Sequence, residues 1–459
     1  MIDRLLLLGA TGDLAGRFLL PALAESAAAG RLPDGLRVVG AGAQDWDEET
    51  FRSHVADRLD EHAADVPADV RRRLVHRLRY RRVDLTDAAT VTTAVGALDD
   101  DDQDDDQDDG PAGDAAVAVY LALPPALFAP TLATLGRVGL PRGSRIAVEK
   151  PFGADLAGAQ RLNELLDGTT GADSTMRVDH FLGMPRVRAL LGLHRPGGPL
   201  APTWSGAHLR QVDVLWEETL GLSGREQFYD STGALRDVGQ NHLLQVLVLV
   251  AMEQPASAAE ADVHRAKLDL LRSVRVLSGG DLVARTRRAR YTAGTLAGGG
   301  RVPAYAAADG VDAARGTETF AELVLEVDTP RWAGTPFVLR TGKAMAADRK
   351  GVALHFRGTA PDVDPAVAER LADDLLWIEL DGARDLPSDV QVRAPGERTA
   401  YRAVLADVLT GGSGTSVTGA EAEQAWRIVD PVLRAWAEGE VPMLEHPAGT
   451  ALPDRSTAG

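Results

Sequence analysis

Short continuous apolar runs recur in roughly the first 180 positions, and each run ends at a glycine, a proline or a charged residue. Residues 4–8, 115–123 and 145–149 are such runs, which are typical of strands buried on both faces of a parallel sheet. A further run ends at 36–39, and the residues between it and the first run place apolar side chains at helical spacing. The chain is therefore predicted to open as strand, tight turn, helix and strand.

After about residue 185 the apolar runs are no longer regularly interleaved with helical segments. Strands are predicted at 212–216, 275–277, 322–328, 337–341, 352–356, 375–380 and 390–392, and helices at about 236–253, 260–273, 398–410 and 419–438. This order favours a mainly antiparallel sheet with flanking helices. The glycine-rich segment 293–318 is interpreted as a long mobile loop, and the tail 446–459 as frayed.

The length of 459 residues exceeds what one hydrophobic core usually serves, so two sizeable domains are expected. No apolar run reaches the roughly 18 residues of a membrane span. The apolar run at the N-terminus is too short for a signal peptide and lacks a cleavage site, so a cytoplasmic protein is expected. The absence of cysteine excludes disulfides, thiolate catalysis and cysteine-ligated metals.

The formal net charge of −18 argues against nucleic acid or an anionic membrane as a partner. Nine of the aspartates lie in one run, residues 99–109. No glycine or glutamate pattern organises this run as a calcium site, so it is interpreted as a solvated, self-repelling loop. The run interrupts the fold and does not define the function.

The turn after the first strand is rich in small residues and opens a helix. It consists of Gly9, Ala10, Thr11, Gly12, Asp13 and Leu14. In a strand–turn–helix–strand unit a dinucleotide pyrophosphate binds at this place, over the helix N-terminus and close to the glycine backbone. The same residues also suit a plain tight turn, so a dinucleotide site needs support from the rest of the chain.

Polar groups recur at the ends of the predicted strands, which is where α/β sheets place their sites. Lys150 ends one strand, Asp179 and His180 end another, and Lys343 follows a third. His242 lies on an apolar helical face that also carries arginine, aspartate and asparagine side chains. A single helical histidine is more often structural than catalytic, but this one accompanies a set of polar groups at strand ends.

Five motifs in a fixed order resemble the glucose-6-phosphate dehydrogenase family. They are GATGDLAGR at 9–17, EKPFG at 149–153, RVDHFLG at 177–183, the stretch 225–255 and RTGK at 340–343, and the similarity continues to 425–431. Each motif alone is modest. Their order over nearly the whole chain makes the resemblance specific.

The resemblance implies a dinucleotide-binding Rossmann domain of α/β type over residues 1–183. A larger α+β domain for substrate binding and oligomerisation would follow over 184–459, with a mainly antiparallel sheet and flanking helices. It further implies hydride transfer from C1 of a sugar or sugar phosphate to NADP or NAD, giving a lactone, with no metal. A homodimer or homotetramer is expected, with neither nucleic acid nor membrane as a partner.

The chemistry of C1 oxidation is consistent with this resemblance. Hydride cannot leave C1 while the anomeric hydroxyl keeps its proton without building a costly oxocarbenium charge, and a neutral imidazole within hydrogen-bond reach removes that proton. A carboxylate on the other ring nitrogen fixes the tautomer and stabilises the imidazolium. His242 is similar to the family's base, and Asp179 is similar to its carboxylate partner.

Further roles are implied by matching positions. Lys150, Glu218 and Asp237 match residues that hold sugar hydroxyls or align the cofactor, and Pro151 matches a proline that is often cis. The residues expected to hold the 6-phosphate are His180 and Lys343, with Arg349 and Tyr401 as helpers. Gln44, after the second strand, is expected beside the cofactor.

Two positions of the phosphate site depart from the family's pattern, which usually reads Asp-His-Tyr-Leu-Gly-Lys. Here Phe181 and Met184 replace the tyrosine and the lysine, and the basic run after the first turn shrinks to Arg17. Losing an ammonium from a dianion site should cost several kcal/mol. One hypothesis is therefore an unphosphorylated aldose such as glucose as the substrate. The alternative is that Arg17 with His180, Lys343 and Arg349 suffices for the phosphate.

The cofactor site departs from the pattern as well. Ala43 stands where the family commonly has an arginine that holds the 2′-phosphate of NADP, and Asp45 follows two residues later. A carboxylate there suits a free ribose hydroxyl and repels a phosphate, which favours NAD. Asp45 also suits an ordinary turn, so NADP and NAD both stay open.

A non-catalytic relative that binds a nucleotide or a sugar phosphate as a sensor is a third alternative. The joint presence of Asp179, His242 and Lys150 speaks against it, because a protein that only binds has little need for a base with an orienting carboxylate.

Overall fold

The computed structural model describes residues 1–99, 115–194, 197–198, 200–222, 224–358, 374–381 and 397–452. The acidic run beyond Asp99 and the strand predicted at 390–392 lie outside these residues. Among the described residues, none of the helices combines the length and the apolar character needed to cross a bilayer.

The chain divides into two compact units, Met1–Pro185 with Gly396–Ala422, and Arg186–Pro395 with Glu423–Gly459. The first boundary lies close to the expected one at 183. The division differs at 396–422, which the sequence interpretation placed in the second domain. The physical reason is a helix whose apolar residues join the core of the first unit: Tyr401, Val404, Leu405, Val408 and Leu409.

Strands and helices are numbered along the whole chain. The strands of the first unit are β1 (Arg4–Leu8), β2 (Arg37–Gly42), β3 (Leu78–Arg82), β4 (Ala118–Leu121), β5 (Arg145–Glu149), β6 (Thr175–Val178) and β15 (Ser416–Val417). Those of the second unit are β7 (Leu209–Glu217), β8 (Thr286–Thr292), β9 (Gly294–Thr295), β10 (Arg301–Val302), β11 (Phe320–Glu326), β12 (Pro336–Gly342), β13 (Arg349–Phe356), β14 (Leu375–Glu379) and β16 (Met443–Pro447).

The described helices before residue 200 are α1 (Leu20–Ala28), α2 (Glu48–His62), α3 (Ala68–Arg77), α4 (Ala88–Gly96), α5 (Phe128–Val138), α6 (Leu156–Thr170) and α7 (Pro185–His194). Those after it are α8 (Glu226–Asp230), α9 (Leu244–Ala251), α10 (Glu260–Ser273), α11 (Gly280–Arg285), α12 (Glu397–Thr410) and α13 (Gly419–Ala437). Two π-helical segments, Ala15–Leu19 and Leu235–Leu243, run directly into α1 and α9. Widened turns of this kind are frequent at functional sites.

The first unit is built on a seven-stranded sheet in the order β15-β6-β5-β4-β1-β2-β3. All neighbours are parallel except β15, which pairs antiparallel with β6. The chain proceeds outward from β1 to β3 and then returns to β4 on the other side of β1. A crevice for a ligand opens at the carboxyl ends of the strands where the order reverses in this way. The predicted parallel α/β domain is confirmed.

The second unit is built on a seven-stranded sheet in the order β14-β13-β7-β12-β11-β8-β16. Four of its neighbouring pairs are antiparallel, whereas β7 with β12 and β8 with β16 are parallel. The segment Leu235–Leu243 contacts β7, β11 and β12, so one face of this sheet carries the helix with His242. The mainly antiparallel sheet with flanking helices is confirmed.

Two predictions in the second unit are wrong, and one of its strands was not predicted. Residues 275–277 form no strand, because the chain there only joins α10 to α11 and Val274 makes a single bridge to Val327. The strand that pairs with β11 is β8, whose alternation is obscured by the arginines among its less buried positions. The tail is not frayed at its start, because β16 pairs with β8 and buries His446.

The segment 293–318, predicted to be a long mobile loop, contains regular structure. It contains the β9–β10 hairpin, and its later part is tied to the buried carboxylate of Asp230. The Tyr305 hydroxyl and the Arg315 guanidinium donate hydrogen bonds to that carboxylate at 3.0 and 2.9 Å. Side-chain tethering of this sort cannot be read from a run of small residues.

Candidate functional site

The glycine turn of the first unit closes tightly against the neighbouring strand. Gly9 has φ of +85°, and a Cβ there would lie 2.2 Å from the carbonyl oxygen of Ala122, just after β4. Only glycine therefore fits this position. The Gly12 N–H donates to the Gly9 carbonyl at 3.0 Å, and the helical segment begins within the next few residues. Ala10 is fully buried beneath the turn.

The polar residues predicted around this turn occupy different surroundings. The Thr11 hydroxyl donates to Oε1 of Gln44 at 2.8 Å, and the Tyr80 hydroxyl donates to the Gln44 backbone carbonyl. These bonds hold Gln44 at the end of β2 beside the turn. Asp13 is exposed and pairs with Arg17 at 3.2 Å. The glycine backbone, the helix start and the held amide fit a dinucleotide at the carboxyl ends of β1 and β2.

An arginine that the sequence interpretation missed lies at the end of β3. Arg82 pairs with Asp45 at 3.2 Å, and both side chains are exposed. The register places Arg82 next to Gly42, one residue before Ala43. Ala43 lacks a charge, but a cation from the adjacent strand lies near this end of β2. The signal was available only from the pairing of β2 with β3, which the sequence did not reveal.

Lys150 follows β5, is half-buried, and is joined to Pro151 by a cis peptide bond. The preceding Glu149 is buried and accepts hydrogen bonds from the hydroxyls of Tyr120 and Tyr401. Burial raises the pKa of Glu149 to about 7, against the opposing effects of the Tyr120 hydroxyl and the Lys150 charge. The sequence interpretation noticed the lysine of this motif and overlooked its buried neighbour.

The predicted carboxylate partner, Asp179, follows β6 and is fully buried. Its Oδ1 accepts the Phe181 N–H at 3.0 Å, which caps the short 3₁₀ turn His180–Gly183. The His180 ring stacks on Tyr401 with centroids 5.3 Å apart and planes 16° from parallel. Tyr401 thus supports the histidine with its ring and contacts Glu149 with its hydroxyl. Neither contact requires a phosphate.

The two replaced positions of this turn are buried. Phe181 and Met184 are each 4% exposed, so both side chains are part of the packed structure. A lysine at 184 would have to bury its ammonium, which is costly without a partner.

His242 lies near the end of the π-helical segment Leu235–Leu243 and is 2% exposed. Its backbone N–H donates to the Asn241 side chain at 2.7 Å, and the Asn241 amide donates to the Arg236 carbonyl at 2.9 Å. These bonds satisfy polar groups that a widened helix leaves unpaired. Asp237, one turn earlier, is half-buried. The histidine is thus held on a rigid, buried element.

A buried glutamate caps the start of this segment. Oε1 of Glu318 accepts the Leu235 N–H at 2.9 Å, and the Glu318 carbonyl accepts the Ala234 N–H. Gly233 has φ of +73°, and a Cβ there would lie 2.6 Å from the same carboxylate. Burial raises the pKa of Glu318, although its bonds to backbone N–H groups oppose the shift. No local pattern predicts this cap, because Glu318 is distant from Leu235 in the chain.

Glu218, Lys343 and Lys350 form a group that we call the Glu218 cluster. The Lys343 ammonium donates to Oε2 of Glu218, and the Lys350 ammonium lies 3.6 Å from Oε1. All three side chains are about one-fifth exposed. Glu218 and Lys343, which were predicted for different parts of the substrate, are therefore in contact. Lys350 was not predicted.

Arg349 lies outside that cluster. Its guanidinium is 3.5 Å from Glu217, which is also 3.8 Å from Arg340. Arg340 in turn bonds Glu322 at 2.7 Å, and Arg287 bonds the same carboxylate at 2.6 Å. The five residues form a continuous series across β8, β11, β12, β7 and β13, which we call the charge row: Arg287, Glu322, Arg340, Glu217 and Arg349.

Residues 6–188 match the family profile described as glucose-6-phosphate dehydrogenase, NAD binding domain, and residues 198–399 match that described as glucose-6-phosphate dehydrogenase, C-terminal domain.

Full-length relatives are similar as well. The chain is 32% identical to the glucose-6-phosphate 1-dehydrogenase of Treponema pallidum, over 97% of this chain and 91% of that protein. It is 33% identical to glucose-6-phosphate 1-dehydrogenase 2 of Mycobacterium bovis, over 98% and 91%. A crystal structure of glucose-6-phosphate 1-dehydrogenase from Mycobacterium avium has a TM-score of 0.81 and 29% identity, over 99% of this chain and 95% of that one.

Proposed function

Because the chain belongs to the glucose-6-phosphate dehydrogenase family, we propose that it oxidises C1 of glucose 6-phosphate to the lactone, with NADP or NAD as hydride acceptor. The observation that carries the proposal is the match to both the NAD-binding and the C-terminal domain, in order, along one chain. The family resemblance predicted from the ordered motifs is confirmed.

The cofactor-binding residues we propose are Gly9, Ala10, Thr11, Gly12, Asp13, Leu14, Gln44 and Lys150. The tight glycine turn, the helix start and the hydrogen bond from Thr11 to Gln44 support this assignment. When bound, the nicotinamide supplies the acceptor for the hydride. The chain supplies the N–H groups that bind a pyrophosphate at the turn.

Both NADP and NAD remain part of the proposal. Asp45 favours a free ribose hydroxyl, as the sequence indicates. Arg82 pairs with Asp45 and so lies at the same place. Its positive charge would attract a 2′-phosphate, which supports NADP.

We propose His242 as the general base that removes the anomeric hydroxyl proton while the hydride leaves C1. Its place on a buried, hydrogen-bonded helical element supports a fixed orientation of the ring. Asp179 is proposed as the carboxylate that orients the imidazole and stabilises its charged form. A positioned base of this kind contributes typically 10²- to 10⁴-fold to the rate.

Lys150, Glu218 and Asp237 are proposed to hold sugar hydroxyls, and His180 and Lys343 to hold the phosphate. The stacking of His180 on Tyr401 and the contact of Lys343 with Glu218 support pre-positioned side chains. Tyr401 is proposed to act through His180 and not on the phosphate. A homodimer or homotetramer stays part of the proposal.

A matrix of initial rates tests the proposal. Glucose 6-phosphate and glucose are each assayed with NADP and with NAD, and kcat/KM is compared. We expect glucose 6-phosphate to exceed glucose by at least a hundredfold, since several charge-assisted bonds to the phosphate are lost with glucose. A higher kcat/KM for glucose would overturn the phosphate assignment, and no turnover with any pair would favour a sensor.

A further inference from the structure

The π-helical segment Leu235–Leu243, which carries His242, begins directly after an alanine. This residue, Ala234, has no polar side chain that could accept a hydrogen bond. The first N–H groups of a helix have no partner within the helix, and a serine, threonine, aspartate or asparagine at the preceding position usually provides one. The start of this segment therefore depends on a contact from another part of the chain.

Glu318 supplies that contact from 83 residues away in the chain. Its Oε1 accepts the Leu235 N–H at 2.9 Å, and its backbone carbonyl accepts the Ala234 N–H at 3.1 Å. Glu318 is 5% exposed and lies just before β11. A hydrogen bond to a buried carboxylate is stronger than a neutral one, and an unpaired buried N–H is costly. Glu318 therefore fixes the start of the segment relative to the sheet.

Hydrogen bonds continue from the start of the segment to the histidine. Arg236 follows Leu235, and the Arg236 carbonyl accepts the Asn241 side-chain amide at 2.9 Å. Oδ1 of Asn241 in turn accepts the His242 N–H at 2.7 Å. Asn241 is 5% exposed, so both of its bonds are shielded from water. Three hydrogen bonds and a short stretch of backbone thus connect Glu318 to the main chain of His242.

The segment packs on the face of the sheet opposite to the charge row. Leu235 lines a small cleft together with Ala321 and Leu323 of β11. Glu322 lies between these two strand residues, and successive side chains of a strand point to opposite faces. Glu322 is fully buried and bonds arginines of the charge row. It therefore provides a control for Glu318, since both are buried glutamates but Glu322 lies on the other face.

We propose that Glu318 is a positioning residue for the base: it holds the start of the segment, and Asn241 transmits this constraint to His242. A general base removes a proton efficiently only within hydrogen-bond reach, about 2.6–3.2 Å. A displacement of a catalytic group by about 1 Å can cost about a hundredfold in rate. The inference rests on the proposed function, because His242 is the base in that proposal.

The test changes Glu318 in two backgrounds, the wild type and H242N, and measures kcat at saturating glucose 6-phosphate. In the wild-type background E318A removes the acceptor of the Leu235 N–H, and we expect kcat to fall roughly 10- to 100-fold. E318Q keeps an oxygen at this place and should recover most of that loss. E322Q, which removes a buried charge from the other face, should keep its kcat. In H242N the same E318A change should alter kcat less than about threefold, because the group that Glu318 positions is absent.

A kcat of E318A equal to that of the wild type, with H242N impaired, overturns the positioning role and leaves the proposed base intact. Equal losses from E318A in both backgrounds contradict an action through His242. An unimpaired H242N overturns the proposed base and the inference with it.

If E318A loses its fold by circular dichroism, E318D replaces it, because its carboxylate is one methylene farther from the Leu235 N–H. A loss of kcat from E318D in the wild type but not in H242N supports the positioning role. No loss in either background, or a loss of equal size in both, contradicts it.

Discussion

The two faces of the sheet in the second unit use charge in different ways. On one face the charge row balances two buried carboxylates, Glu322 and Glu217, with three arginines. On the other face the Glu218 cluster sets two lysines on one carboxylate, and all three side chains reach solvent. The two groups are adjacent in sequence at 217–218 and at 349–350.

The two groups differ in burial, which decides how costly their ion pairs are to break. A buried ion pair is expensive to desolvate and very costly to break, so its members have little freedom to contact a ligand. The ion pairs of a partly exposed cluster are screened by solvent and cost little to break, so its side chains keep more freedom. The two faces of the sheet therefore differ in how strongly their ion pairs constrain the side chains.

The largest effect is expected at His242, and His355, on the opposite face of the sheet, provides the control. H242N removes the proposed base, and we expect kcat to fall about 10²- to 10⁴-fold. His355 pairs with the carboxylate of Asp213 at 2.8 Å and lies on the charge-row face. H355N should leave kcat within about threefold of wild type. Steady-state kinetics of both variants checks this, and equal losses would erase the distinction between the faces.

Breaking the charge row should lower the stability of the protein and leave the activity of the folded fraction unchanged. Glu322 is fully buried and bonds two arginines, so E322Q should lower the free energy of unfolding by about 3–5 kcal/mol. The folded fraction should keep its kcat/KM. Glu326 on the same strand is partly exposed and pairs with Arg275, so E326Q should cost no more than about 1 kcal/mol. Urea unfolding compares the two, and similar costs would contradict the structural role of the row.

Glu149 is a buried carboxyl of the first unit that accepts hydrogen bonds from hydroxyls, whereas the carboxylates of the charge row pair with arginines. Burial raises the pKa of Glu149 to about 7 from 4.5. Between these values the folded protein holds a proton that the unfolded chain has lost, so stability falls as pH rises from about 4.5 to 7. The loss should be on the order of 3 kcal/mol. Thermal unfolding across this pH range should show E149Q free of that decline, and parallel curves for wild type and E149Q would contradict it.

The smallest effect is expected at Arg82, an exposed cation whose partner is also exposed. R82Q should weaken NADP binding about two- to tenfold and leave NAD binding unchanged, because a screened surface charge contributes little. Arg77, an exposed residue at the end of α3, provides the control R77Q. Fluorescence titration with both nucleotides measures the effect, and equal weakening of NADP and NAD would remove Arg82 from cofactor selection.

The sequence predicts the parts of the fold in which local pattern and tertiary role coincide. The helix at 260–273 is found at the predicted bounds, and the opening unit forms where the glycine turn indicates it. β8 was not predicted because arginines occupy its less buried positions. The strand predicted at 275–277 is wrong because a short apolar link resembles a strand.

The same limit applies to the candidate site. Lys343, Asp179 and His242 are visible as single residues at strand ends or on a helix. The register of β13 with β7 places Lys350 and Arg349 on opposite faces of the sheet, and Glu318 caps a helical segment that is distant in the chain. Such contacts depend on the pairing of remote segments, which a single sequence does not reveal.

The measurement that tests the central proposal most directly follows the hydrogen on C1. Glucose 6-phosphate deuterated at C1 is oxidised by the wild-type protein with NADP or NAD, and the reduced nucleotide is analysed by mass spectrometry. The proposed hydride transfer predicts that the reduced nucleotide carries the deuterium and that the sugar product is the lactone or its hydrolysed acid. Reduced nucleotide without deuterium would contradict oxidation at C1.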